Sequence, residues 1–158
     1  MSLEQKIFRI VSQIVDPEIP YLTIKELGIL REIRRQGSRI TVVIAPTYLA
    51  CPATDAIEEE IISKLRNEGF SLVDVLRQFK PPWTTDWITK AGREKMRHHG
   101  VNPPEATSIA KCGVTQDPIC PKCGACENES LNDVSGTICK SLFRCLVCCE
   151  TFEHFKCL

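Results

Sequence analysis

Two C-x-x-C pairs near the carboxyl end, Cys120-Pro121-Lys122-Cys123 and Cys145-Leu146-Val147-Cys148, carry the strongest chemical signal in the chain. Each pair puts two thiolates on one knuckle, and two such knuckles close a tetrahedron around a soft metal ion. The 21 residues between them slightly exceed the usual spacing but suffice for a hairpin that returns the second knuckle to the first. A zinc-ribbon-like site is the first reading, with Cys120, Cys123, Cys145 and Cys148 as metal ligands. Cys112, Cys126, Cys139, Cys149 and Cys157 are then left over. Because Cys120, Cys123 and Cys126 read C-x-x-C-x-x-C, the start of a bacterial ferredoxin run without its C-x-x-x-C-P continuation, an iron-sulfur cluster stands as the alternative cofactor. Cys148 and Cys149 are adjacent and either can supply the last sulfur; regular knuckle spacing favours Cys148. Cys139 is expected close to the site, on the strand leading into the second knuckle.

Cys51 stands apart, in Pro46-Thr47-Tyr48-Leu49-Ala50-Cys51-Pro52. This stretch connects an expected strand to the start of an expected helix, where unpaired amides and the helix dipole favour a thiolate. The opposing reading is a buried cysteine serving as a small apolar residue. Asp16-Pro17-Glu18-Ile19-Pro20 sets two carboxylates on a proline-stiffened loop, placed to orient a metal or thiol if the fold brings them to Cys51, and otherwise turn-forming residues. No Ser-His-Asp set, phosphate-cradling glycine loop or HExxH sequence is present, which argues against an ordinary hydrolase.

Nine of the ten cysteines follow residue 111. The segment 112–158 is too short to fold on apolar burial alone, since cores of that size supply roughly 3–5 kcal/mol. A structural zinc contributes on the order of 10–16 kcal/mol. The sequence shows no secretory leader pattern and no membrane-length apolar run, so a reducing cytoplasm, with thiols available to metal, is expected. Twenty basic residues balance twenty acidic ones, which removes the electrostatic basis for nucleic-acid or membrane binding. A local basic excess at 80–100 (Lys80, Lys90, Arg93, Lys95, Arg97) reads as a solvated helix face.

The elements that must position these residues follow from periodicity. Leu3, Ile7, Ile10, Val11 and Ile14 form a helical stripe behind a Ser2/Gln5 capping box, closed by Asp16-Pro17. Residues 29–35 and 40–45 read as a hairpin around Gln36-Gly37-Ser38, the second strand β-branched on both faces. Thr54 or Asp55 is placed to cap a helix with core positions Ile57, Ile61 and Leu65, followed by a strand over 72–79. After Pro81-Pro82 a third helix is expected within 83–100, and Asn102-Pro103-Pro104 opens a linker. The expected class is α+β: an αββαβ domain over 1–80, a basic helix and linker over 81–111, and a zinc-ribbon-like domain over 112–158 with Phe143, Phe152 and Phe155 as its small core.

The motifs Asp16-Pro17-Glu18-Ile19-Pro20, Glu26-Leu27-Gly28-Ile29 and Pro46-Thr47-Tyr48 to Cys51-Pro52 resemble the iron-sulfur assembly domain of SufT-like proteins. Adding Pro82-Trp83-Thr84-Thr85-Asp86-Trp87-Ile88, Ala91-Gly92-Arg93, Cys120-Pro121-Lys122-Cys123-Gly124, the run from Cys139 to Cys145, and Phe155-Lys156-Cys157 makes the chain resemble the PaaD family over nearly its whole length. That family is encoded with the bacterial phenylacetyl-CoA ring-1,2-epoxidase. The resemblance implies a non-enzymatic accessory protein in aerobic phenylacetate breakdown that assembles or inserts an iron-sulfur or iron centre. The alternative is a stoichiometric epoxidase subunit or iron-sulfur redox relay. It also implies roles for Asp16, Glu18, Thr47 and Cys51 in cluster transfer or partner contact. Expected partners are epoxidase subunits or other iron-sulfur clients, and a second copy in a homodimer.

Overall fold

The computed structural model describes residues 2–104 and 118–156. Cys112 and Cys157, and most of the expected linker, lie outside the described residues. Two compact units divide between Gly92 and Arg93.

The first unit opens with α1 (Leu3–Val11), held at its start by the reciprocal Ser2/Gln5 capping box. The helix ends at Val11, earlier than the stripe suggests; Leu3 is exposed, Ile7 and Val11 are buried, and Ile14 reaches the core from the loop. Strands β1 (Leu30–Gln36) and β2 (Arg39–Ile44) form the expected hairpin. Next come α2 (Ala53–Asn67) and β3 (Leu72–Arg77), which pairs parallel to β2 and makes β2 the central strand. A central strand must be apolar on both faces, and Ile40, Val42, Val43 and Ile44 are all buried. The buried stripe of α2, with Ile57, Ile61 and Leu65, contributes roughly 1.5–3 kcal/mol per large side chain by the usual transfer estimate.

Neither Thr54 nor Asp55 caps α2. The helix starts earlier, with Pro52 at the N-cap position and no side-chain cap; the proline ring fixes a helical φ, and the Thr54 N–H in the first turn donates to the Cys51 carbonyl. Thr54 is buried instead, and Asp55 turns to Arg77.

The expected third helix is two pieces, a single 3-10 turn at Thr85–Trp87 and α3 (Lys90–His98). In the first unit, Trp83 is buried and donates its indole N–H to the Leu27 carbonyl at 2.9 Å. Gly28, at φ +72°, lies so close to Trp87 that a Cβ would meet the Trp87 Cβ and carbonyl oxygen at 2.6 Å. Only glycine accepts both the left-handed backbone and that approach. The guanidinium of Arg31 covers the Trp87 ring at 3.6 Å from its centroid.

In the second unit four strands run in the order β4-β7-β6-β5: β4 (Val101–Asn102), β5 (Asn128–Asn132), β6 (Lys140–Cys145) and β7 (Thr151–Phe155). Asn102, expected to open the linker, is a buried strand residue opposite His154 on the parallel partner β7. Two residues carry too little periodicity to announce a strand. Phe152 and Phe155 are buried, and Phe143 stacks on Phe152 with ring centroids 6.1 Å apart.

Candidate functional site

The sulfurs of Cys120, Cys123, Cys145 and Cys148 all lie within 4.8 Å of one another. They are the one set of three or more Cys, His, Asp or Glu side chains that converges this closely among the described residues. Cys120 and Cys145 are buried, Cys148 is half-buried and Cys123 is exposed. Cys120 to Cys148 is 3.7 Å and Cys123 to Cys145 is 3.6 Å. A tetrahedron with metal–sulfur bonds of about 2.3 Å has sulfur–sulfur edges of about 3.8 Å, so the four donors fit one tetrahedral ion.

The local backbone explains why they converge. In the first knuckle the Gly124 N–H donates to the Cys120 carbonyl at 2.9 Å, and the Cys120 N–H donates to Ala125. In the second, the Cys149 N–H donates to the Cys145 carbonyl at 3.0 Å, and the Cys145 N–H donates to Glu150. The two knuckles are the same structure. Gly124 sits at φ +75° and Cys149, the one non-glycine with positive φ among the described residues, at φ +60°. Cys149 therefore occupies the left-handed position that follows a knuckle, exposed to solvent, and the ligand position falls to Cys148. Aligning C-x-x-C-G with C-x-x-C-C in the sequence would have revealed this. The Leu146 N–H donates to Glu127 across the site, and Lys122 pairs with Glu150, tying the knuckles together.

Their electrostatics call for a cation. The Cys148 and Val147 amides, aimed at Cys145, bring its thiol down to about 7. At Cys123 the Ala125 amide pulls downward, but Cys148, burial and the other two sulfurs push the thiol up to about 12. One thiolate forms readily at Cys145, while those of Cys123 and Cys148 are opposed by burial and by neighbouring sulfurs. Four together require positive charge between them.

Cys126, third in the C-x-x-C-x-x-C run, is outside this set. Cys139 is buried but stands before β6, six residues from Cys145 and so about 20 Å away at strand rise; its sulfur meets the Thr137 hydroxyl at 3.0 Å. The expectation that it adjoins the knuckles fails because β6 runs extended between them.

In the first unit Cys51 is half-buried on the loop from β2 to α2. Its N–H donates to the Tyr48 carbonyl at 3.3 Å and its carbonyl accepts from Thr54 at 3.1 Å, so the backbone of Cys51 adjoins the first turn of α2. This is the carboxyl end of the parallel pair β2/β3, where ligands bind in parallel sheets. Arg77, the last residue of β3, holds Asp55 at 2.5 Å and also Glu58, fixing the start of α2 beside this loop. Those partners are 22 and 19 residues away in sequence, and no local pattern announces them. Thr47 is half-buried on the same loop. Asp16 is buried, and its Oδ1 accepts from the Glu18 and Ile19 amides at 2.8 and 3.0 Å, building the turn that carries half-buried Glu18.

Comparison with known proteins matches residues 4–71 to the family described as iron-sulfur cluster assembly protein and residues 104–156 to the PaaD zinc beta ribbon domain. Over 153 residues, 97% of this chain and 92% of the relative, it is 38% identical to an Escherichia coli protein named as one of the subunits of a "Putative 1,2-phenylacetyl-CoA epoxidase". The chain belongs to the PaaD family. A shorter similarity joins this PaaD-family chain to an Fe-S protein maturation auxiliary factor from Porphyromonas gingivalis, 28% identical over 57% of this chain and 87% of that one. A crystal structure of a domain of unknown function from Bacillus anthracis shares the fold (TM-score 0.55, 18% identity, 59% of this chain and 90% of that one). So does a conserved hypothetical protein from Thermotoga maritima (TM-score 0.51, 24% identity, 60% and 94%). No helix of the described residues is long and apolar enough to cross a membrane.

Proposed function

We propose that this PaaD-family chain is a maturation factor for the phenylacetyl-CoA ring-1,2-epoxidase, working in a reducing cytoplasm. Its first unit handles an iron or iron-sulfur cargo, and its second holds zinc on Cys120, Cys123, Cys145 and Cys148. The observation that carries the reading is the half-exposed Cys51 at the carboxyl end of β2/β3, in an iron-sulfur-assembly fold, within a chain similar throughout to a protein named as an epoxidase subunit. Asp16 supports it by shaping the loop that carries Glu18, and Thr47 by lying on the same β2–α2 loop as Cys51.

Transfer of the cargo requires ligand exchange and no change of oxidation state. One iron–sulfur bond to Cys51 breaks as one forms to a client thiol, and the proton leaving that thiol passes to the Cys51 thiolate. The four-sulfur site is closed, with every corner of the tetrahedron filled by protein, which is the arrangement of a structural rather than a catalytic zinc. A bound zinc there supplies folding free energy.

Cys51→Ser is expected to leave both units folded and the epoxidase purified from the same cells short of iron. Fully metallated epoxidase from that strain would count against the reading. The name of the Escherichia coli relative favours a second reading, a permanent subunit of the complex. Constant stoichiometry with the epoxidase through purification, together with visible iron-sulfur absorbance, would select it.

A further inference from the structure

Leu49 is the most exposed large apolar side chain among the described residues, 82% exposed, two positions before Cys51. Solvation of a single leucine needs no explanation on its own, but this one is presented on a fixed apex. The Cys51 N–H bond to Tyr48 closes the turn over residues 48–51, and the Thr54 bond to the Cys51 carbonyl fastens it to α2. Buried Pro46 and the N-cap Pro52 restrict the backbone on either side. Leu49 and Ala50 therefore project together from a braced loop, and covering them orders little chain that is not already ordered.

The loop itself carries no charge. No residue from Ala45 to Thr54 is charged, and the next one, Asp55, is held by Arg77. A partner that approaches here is gripped by apolar contact. Cys51 is also less exposed than the apex beside it. A protein surface that brings its own thiol to Cys51 also meets Leu49, two positions away on the same turn.

We propose that Leu49 is the docking anchor of this unit, seated in an apolar recess of the client protein beside the thiols that receive the cargo. The inference rests on Cys51 as the transferring residue and adds the chemistry of the surface that recognises it. Tight contact at such an anchor is worth roughly tenfold or more in affinity, and its salt dependence is small because no charge pair is made.

The test co-produces the epoxidase subunits with the wild-type chain, Leu49→Asp, Leu49→Met or Cys51→Ser, and measures iron in the purified epoxidase. Cys51 alkylation of the purified, metal-bearing wild-type, Leu49→Asp and Leu49→Met chains checks that the thiol is undisturbed. Leu49→Asp is expected to lower epoxidase iron several-fold with wild-type alkylation, Leu49→Met to restore it, and overproduction of Leu49→Asp by about tenfold to recover most of the loss by mass action. Normal iron with Leu49→Asp overturns the docking role, and so does a deficit that overproduction leaves unchanged. Normal iron with Cys51→Ser overturns the transfer reading alone; a Leu49→Asp deficit would still support the docking surface.

Discussion

Gly28→Ala isolates the contact on which the first unit's central motifs depend. Two costs add. A Cβ at φ +72° costs about 1–2 kcal/mol in a left-handed backbone. It would also stand 2.6 Å from the Trp87 Cβ and carbonyl oxygen and 2.9 Å from the carbonyl carbon, atoms close to the main chain that no rotamer change removes. Overpacking of that kind costs about 1–3 kcal/mol, for a total of roughly 2–5 kcal/mol. Gly37→Ala is the matched control: φ is +61°, but nothing lies within 4 Å, so only the backbone cost of about 1–2 kcal/mol applies. The chain contains two tryptophans, Trp83 and Trp87, both in the first unit, so urea unfolding followed by tryptophan fluorescence reports that unit alone. The expected order is wild type, Gly37→Ala, then Gly28→Ala at a distinctly lower midpoint with an unchanged slope. Equal midpoints for the two variants would refute the claim that the Gly28 backbone packs against Trp87.

Three further outcomes test the second unit. Cys149→Gly should keep the metal and gain up to about 1 kcal/mol, since glycine suits the left-handed position; thermal unfolding of the metal-bound chain checks it, and metal loss would make Cys149 a ligand. Cys145→Ser should abolish metal binding and expose the amides of 118–156 to hydrogen exchange while leaving the tryptophan transition in place; retained protection there would contradict a metal-built core. Burial pushes His154 below its ordinary value, and its ring meets Asn102 at the β4/β7 pairing and Phe143 edge-on. The folded state thus binds the proton less well than the unfolded one, so its contribution is full above the unfolded value of about 6.5 and is lost as pH falls through the folded value. His154→Gln should flatten that acid-side fall in hydrogen-exchange protection, and an unchanged pH profile would exclude His154 as its source.

Much of the fold is written in periodicities that survive without tertiary context. The β-branched run of β2 requires burial on both faces, which a central strand provides, and the capping box fixes the start of α1. The knuckles were legible because their ligands are adjacent in sequence. What escaped depends on distance or on backbone. Pro52 starts α2 by its ring rather than by a side-chain acceptor, so a search for capping oxygens lands past the true start. Asn102 becomes a strand residue only because β7 lies alongside it. Arg77 reaches Asp55 and Glu58 across a parallel crossover. Cys139 resembles a ligand only while β6 is imagined folded back rather than extended.

Metal analysis joined to X-ray absorption on the anaerobically purified full chain tests the central claim most directly. One zinc per chain is expected, surrounded by four sulfurs at about 2.3 Å, with the signal lost in Cys145→Ser. A metal-free chain, or an ion with fewer than four sulfur neighbours, would contradict it.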